Sequence, residues 1–139
     1  MTDEKISIKL ESKVSEIGRL SEIVNEFGQN HQLTDDCLFA VNLALEEILI
    51  NVIKHGYDNN SDREIQVRIW MSDDELRAEV EDDAPEFNPL ELDAPDITKP
   101  LEEREIGGLG VHLVRNMMDR TEYKREGQKN ILSIAKKGR

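Results

Sequence analysis

Between Phe39 and Tyr57 the chain carries Val41, Leu43, Leu45, Ile48, Leu49, Ile50, Val52 and Ile53, apolar on nearly every side of a helix. A helix of that kind has to be buried on most of its faces. Polar groups placed in it are costly unless something there needs them. Yet this helix holds Glu47, Asn51 and His55, each four residues after the last. Residues four apart sit one above the other on a helix, so the three form a polar stripe.

The elements that cover this helix follow from periodicity. Ile6, Ile8 and Leu10 alternate with polar residues and predict a short opening strand. From Lys13 to Asn30, Val14, Ile17, Leu20, Ile23, Val24 and Phe27 recur at helical spacing. Thr34, Asp35 and Asp36 offer a cap and first-turn acid for the long helix, which ends at Gly56 and the polar run from Asp58 to Asp62. Ile65, Val67, Ile69 and Met71 alternate as a strand, Ser72-Asp73-Asp74 turn the chain, and Leu76, Ala78 and Val80 return it as a hairpin.

From Asp82 to Ile106 the pattern lapses, and Pro85, Pro89, Pro95 and Pro100 all fall there. A loop of that length in a small domain is usually functional or mobile. Gly107-Gly108-Leu109-Gly110 then leads into a helix through Val111, Leu113, Val114, Met117 and Met118. A hairpin of Thr121–Arg125 and Asn130–Lys136 around Gly127 closes the chain. The order predicts an α+β two-layer sandwich, a mixed, mostly antiparallel sheet covered on one face by three helices. Strand order does not follow from these signals.

With 139 residues the chain predicts a single domain, 1–139, large enough for one core. Its apolar runs are too short to cross a membrane. The opening Met-Thr-Asp-Glu-Lys lacks the basic start and apolar centre of a secretory signal. Cys37 is the single cysteine, which rules out an intramolecular disulfide and points to a reducing, cytoplasmic setting. A net charge of -12 argues against direct contact with a nucleic-acid backbone. It suits a protein partner with a basic patch, or simply solubility.

Three clusters could carry chemistry. On the polar stripe, Glu47 beside Asn51 can set an oxygen-loving cation, or water held by one, next to a base; an exposed intrahelical pair is the plainer reading. In Val80-Glu81-Asp82-Asp83-Ala84-Pro85 a strand runs into acids and a turn. A carboxylate there can accept from an amino group such as that of adenine, although acidic loops are common. Gly107-Gly108-Leu109-Gly110 before a helix offers backbone amides to phosphate, or a flexible hinge; no Gly-Lys-Ser/Thr follows, so it is not a Walker loop. His31, His55, His112 and Cys37 lack zinc-ligand spacing, and no Gly-x-Ser-x-Gly supports a hydrolase. Trp70 reads as packing on a strand, and Met117-Met118 as core filler.

In this order, Glu47-x-x-x-Asn51, Asp82-Asp83-x-Pro85-x-Phe87-x-Pro89 and Glu105-Ile106-Gly107-Gly108-Leu109-Gly110-Val111-His112-Leu113 resemble the GHKL ATP-binding superfamily. Nearly the whole chain is similar to the small anti-sigma-factor serine/threonine kinases of the RsbW and SpoIIAB type. The resemblance implies a Bergerat-type fold with Glu47 as general base and Asn51 as the Mg2+ ligand at the triphosphate. It assigns Asp82 to the adenine amino group, and Gly107, Gly108, Leu109, Gly110 and Val111 to the glycine box. His55 and Lys54 fall near the phosphates, and Leu90 to Ile106 forms the ATP lid. Where the family's Asp-x-Gly has glycine, which lets the backbone approach the base closely, this chain has Ala84, and the added methyl is expected to weaken or reshape the adenine pocket.

The implied function is an anti-sigma regulatory kinase. It binds Mg-ATP, phosphorylates an anti-anti-sigma (STAS) protein and sequesters a sigma factor; homodimers are common among the proteins it resembles. The alternatives are an ATP-responsive partner-switching module without transferase activity, and an interaction domain with a degenerate pocket. The chain has no separate helical module bearing a phospho-acceptor histidine, which sets a histidine kinase aside.

Overall fold

The computed structural model describes residues 5–88, 90 and 114–138. In chain order these form β1 (Ile6–Glu11), α1 (Glu16–Asn30), α2 (Asp35–Asn51), a π-helical turn (Val52–Gly56), β2 (Glu64–Ser72), β3 (Glu75–Asp82), β4 (Arg120–Glu126) and β5 (Lys129–Lys137). Residues 114–117 are also helical, and Val114 and Met118 reach the core. The remainder of the expected third helix, from Val111, lies outside the described residues.

Each element forms for a local reason. In β2 and β3, Ile65, Val67, Ile69, Leu76, Ala78 and Val80 are buried at every second position, so one face of the sheet is apolar. In α1, Leu20, Val24 and Phe27 make a buried stripe. Helix α2 starts where Thr34 Oγ1 accepts from the Cys37 N–H at 3.1 Å, a side-chain N-cap. Gly28 of α1 lets the helices meet closely, because a Cβ there would sit 2.3 Å from Leu38 Cδ2.

The sheet order is β1-β2-β3-β5-β4, and all four pairings are antiparallel. The parallel component expected from the sequence is not found among the described residues. The reason lies in the connections. Two helices in series bring the chain back to the end of the sheet it left, so β2 runs against β1. Like-directed strands are kept apart by an antiparallel neighbour: β5 lies between β3 and β4, and β3 lies between β2 and β5.

The helices lie on the apolar face, and Val41, Leu45, Ile48 and Leu49 of α2 join the sheet side chains in one core. Burial of each such side chain is worth about 1.5–3 kcal/mol. A two-layer sandwich has no third layer, however, and Phe39 on the outward side of α2 is left 67% exposed. The all-round burial expected of this helix therefore holds only toward the sheet and α1. The opposite sheet face is laced with charge: Arg68 pairs with Glu79 at 3.2 Å and Glu81 at 2.9 Å. Trp70 packs there under Lys5, whose Nζ is 4.2 Å from the ring centroid.

Candidate functional site

Helix α2 changes pitch where its polar stripe was expected to continue. The Tyr57 N–H donates to the Val52 carbonyl five residues back at 2.8 Å, which widens the coil into a π turn. Asn51, Val52 and Gly56 then line a cavity, together with Ile48 one turn earlier, while Lys54 and His55 are exposed. The turn is held from outside. The Tyr57 ring is buried, and its hydroxyl donates to Asp83 Oδ1 at 2.6 Å while accepting from the Asp83 N–H at 2.8 Å. Arg63 Nη2 also donates to Asp83 Oδ1, at 2.7 Å. These two donors, the Tyr57 hydroxyl first, hold the Asp83 carboxyl below its usual range.

Asp82 faces the other way. Leu76, Ala78, Val80 and Asp82 share the core side of β3, so its carboxylate enters the protein and is only 7% exposed. Oδ1 accepts from the Ala84 N–H at 3.0 Å and from Asn130 Nδ2 at 2.9 Å. Both of its hydrogen bonds from described residues fall on that one oxygen. Burial raises the Asp82 pKa, and the Asn130 amide and Ala84 N–H oppose the rise.

Sequence reasoning did not single out Asn130, which is buried on β5. Its Nδ2 also donates to the Ala84 and Pro85 carbonyls at 3.1 and 3.2 Å. Its Oδ1 accepts from the Tyr123 hydroxyl at 2.5 Å, from Arg125 Nη1 at 3.1 Å and from the Phe87 N–H at 3.4 Å. One signal could have found it. Asn130, Leu132 and Ile134 lie at alternate positions of one strand, so an asparagine occupies a core-facing place.

The cavity brings Asn51, Asp82 and Ala84 together with Pro85, Phe87, Tyr123 and Asn130. Its volume is about 40 Å³, room for a water or two. The Ala84 methyl is accommodated by a glycine opposite, since a Cβ on Gly56 would stand 3.1 Å from Ala84 Cβ. Asn51 is 6% exposed, and among the described residues its Nδ2 has no hydrogen-bond partner. An orphaned buried amide costs about 1–3 kcal/mol, so a ligand that engages it is favoured.

Glu47 lies one turn before Asn51, half-buried and outside the cavity wall. Burial, then the neighbouring Glu46 charge, raises its pKa. His55 is also outside the wall. Gly107, Gly108, Leu109, Gly110 and Val111 lie outside the described residues, as does the expected lid apart from Leu90, whose carbonyl accepts from Arg115 Nη1 at 2.9 Å. Among the described residues no group of three or more His, Cys, Asp or Glu could hold a metal. Magnesium does not need such a cage, because it binds largely through water and substrate phosphates. A single amide oxygen at Asn51 fits that mode. No helix among the described residues is long and apolar enough to cross a membrane.

The chain is similar to several known proteins. The chain is 29% identical over 124 residues to a protein named serine-protein kinase RsbW from Listeria monocytogenes, covering 84% of this chain and 76% of that protein. It is 23% identical over 96 residues to the serine/threonine-protein kinase BtrW of Bordetella bronchiseptica, covering 69% and 68%. Among solved structures, the RsbU and RsbW domains of a Mycobacterium tuberculosis protein superpose with a TM-score of 0.70 at 12% identity. That match covers 97% of this chain but 32% of the longer one, and at such identity it speaks for the fold alone. Residues 10–136 match the family described as histidine kinase-like ATPase domain, and the chain belongs to that family.

Proposed function

We propose that this protein is a cytoplasmic anti-sigma regulatory serine/threonine kinase. It uses Mg-ATP to phosphorylate an anti-anti-sigma (STAS) protein and, in its other partner state, sequesters a sigma factor. The observation that carries the reading is one cavity with a buried carboxylate, Asp82, on one wall and, on another, Asn51, whose amide N–H has no partner among the described residues. Kinase names among its relatives support the activity.

In this reading Asp82 accepts from the adenine amino group, and Ala84 borders the base. Asn51 Oδ1 would hold the magnesium that accompanies the nucleotide, and His55, exposed outside the cavity wall, would lie near the phosphates. Magnesium, when bound, neutralises charge on the triphosphate. Gly107, Gly108, Leu109, Gly110 and Val111 give their backbone N–H groups to the phosphates. Glu47 orients the acceptor hydroxyl and takes its proton. A carboxyl whose pKa is raised by burial is a better base near neutral pH than an ordinary one. Phosphoryl transfer depends mainly on such positioning and charge stabilisation, so few protein groups suffice.

The test is transfer of labelled γ-phosphate from Mg-ATP to a STAS protein encoded beside this one. Phosphate should appear on a serine or threonine of that partner. Glu47→Gln should slow transfer by about 100-fold or more, the usual worth of a positioned base. Absence of transfer, together with an inert Glu47→Gln, would remove the kinase. Calorimetric binding of ADP without turnover would leave an ATP-responsive partner switch.

A further inference from the structure

Asn130 has no part in the roles above, yet its amide joins six groups from three segments. The Tyr123 hydroxyl, Arg125 guanidinium and Phe87 N–H all donate to Oδ1, while the Asp82 carboxylate and the Ala84 and Pro85 carbonyls all accept from Nδ2. Donors on one side and acceptors on the other fix which way the amide faces. A flipped amide would set its N–H groups against two obligate donors, Arg125 and the Phe87 N–H, and its oxygen against three acceptors. Arg125 Nη1 reinforces the grip by donating to the Ala84 carbonyl at 3.0 Å.

We propose that Asn130 is a positioning residue for purine selection, holding Asp82 by one oxygen so that the other is presented to the 6-amino group of an adenine nucleotide. This rests on the nucleotide reading of the cavity. A carboxylate free to rotate, or to take up a proton in its buried setting, could also accommodate the carbonyl of a 6-oxopurine. Asn130 blocks both. It pins Oδ1 and its backbone turn, and as a donor it favours the ionised form. An ionised Asp82 then meets an amino group as a hydrogen-bond partner and a 6-oxo group as a repulsive one. The other groups that bear on the Asp82 charge are Asp83 and Arg125, with Tyr57 and Tyr123 beside them. Of the two that carry formal charge, Asp83 works against ionisation and Arg125 for it.

The experiment compares ADP with inosine diphosphate, each with magnesium, by calorimetry on the whole protein. The parent should prefer ADP by about tenfold or more, because a site built around a donor rejects the analogue lacking it. Asn130→Leu, similar in size and without donors, should bring the ADP-to-IDP ratio toward unity and move the acid limb of ADP affinity to higher pH. Tyr123→Phe removes one donor to the amide and should give an intermediate ratio. A folded Asn130→Leu that keeps the parental ratio and pH profile overturns the proposal, as does one that loses both nucleotides equally. Should Asn130→Leu not fold, an unchanged ratio in Tyr123→Phe overturns it. A parent that binds neither nucleotide fails differently, since it removes the nucleotide reading itself.

Discussion

Gly56 and Ala84 share one methyl group's worth of space, and exchanging them measures how tightly. In Gly56→Ala the new Cβ would stand 3.1 Å from Ala84 Cβ, inside the ~3.5–4.0 Å optimum for two carbons. Overpacking of that kind costs about 1–3 kcal/mol. Removing a glycine from a helical backbone returns about 0.4–1 kcal/mol, which leaves a net loss of about 1 kcal/mol. Ala84→Gly deletes a methyl that is 3% exposed. It should cost about 0.8 kcal/mol for the methyl and about 0.5–1 kcal/mol for added chain freedom. Independent effects would put the double variant about 2.5 kcal/mol below the parent, by addition of these two losses. If the two positions share one space, Gly56→Ala with Ala84→Gly keeps a single methyl between them, and the strain disappears. The double variant should then lie within about 1 kcal/mol of the parent, a coupling of about 2 kcal/mol. Urea unfolding with an unchanged slope reads these differences directly. Additivity of the single variants to within about 0.5 kcal/mol would refute the shared space.

Three further outcomes are expected. Gly28→Ala should lose about 1–3 kcal/mol in urea despite alanine's better helix propensity, because its Cβ would meet Leu38 Cδ2 at 2.3 Å; Leu38→Ala should recover part of that loss. Thr34→Ala should cost about 1 kcal/mol in thermal or urea melts through loss of the α2 cap. Asp82→Asn should be more stable than the parent at pH 7 while losing ADP affinity about tenfold or more. The sign follows from burial, which raises the folded pKa of Asp82. Its contribution is favourable below the unfolded pKa of about 3.9 and is lost as pH rises through the folded value. The stability advantage of Asp82→Asn must therefore shrink as the solution is acidified, and a pH-independent advantage would contradict it.

Much of the fold was legible because side-chain alternation is a local signal. Ile65 to Met71 and Leu76 to Val80 announced a hairpin that the register confirms, with Met71 opposite Leu76. Thr34 announced its helix, and the structure shows the expected cap. That no strands pair in parallel among the described residues was not legible, because it depends on the strand order, with β5 inserted between β3 and β4. Asn130 was missed for the same reason. Its partner Asp82 lies 48 positions away and comes opposite only through β3–β5 pairing. Of the expected site, Asn51, Asp82 and Ala84 meet in one cavity, and Glu47 stands just behind. His55 was expected on the same line, and nothing in Val52-Ile53-Lys54-His55-Gly56 warns that the helix widens there. The residue that closes the turn, Tyr57, is held by Asp83, 26 residues away in sequence.

That wider turn has a consequence for how such a chain can change. A π turn is what remains when an α-helix absorbs one extra residue between fixed ends. Here the ends are fixed by Asn51 in the core and by Tyr57 locked to Asp83. A deletion within residues 52–56 can relax the coil to ordinary pitch without moving either anchor. Substitutions leave the coil wide and alter only what it displays. Insertion and deletion, not exchange of one side chain for another, are thus the changes that decide which residue of this turn meets the cavity.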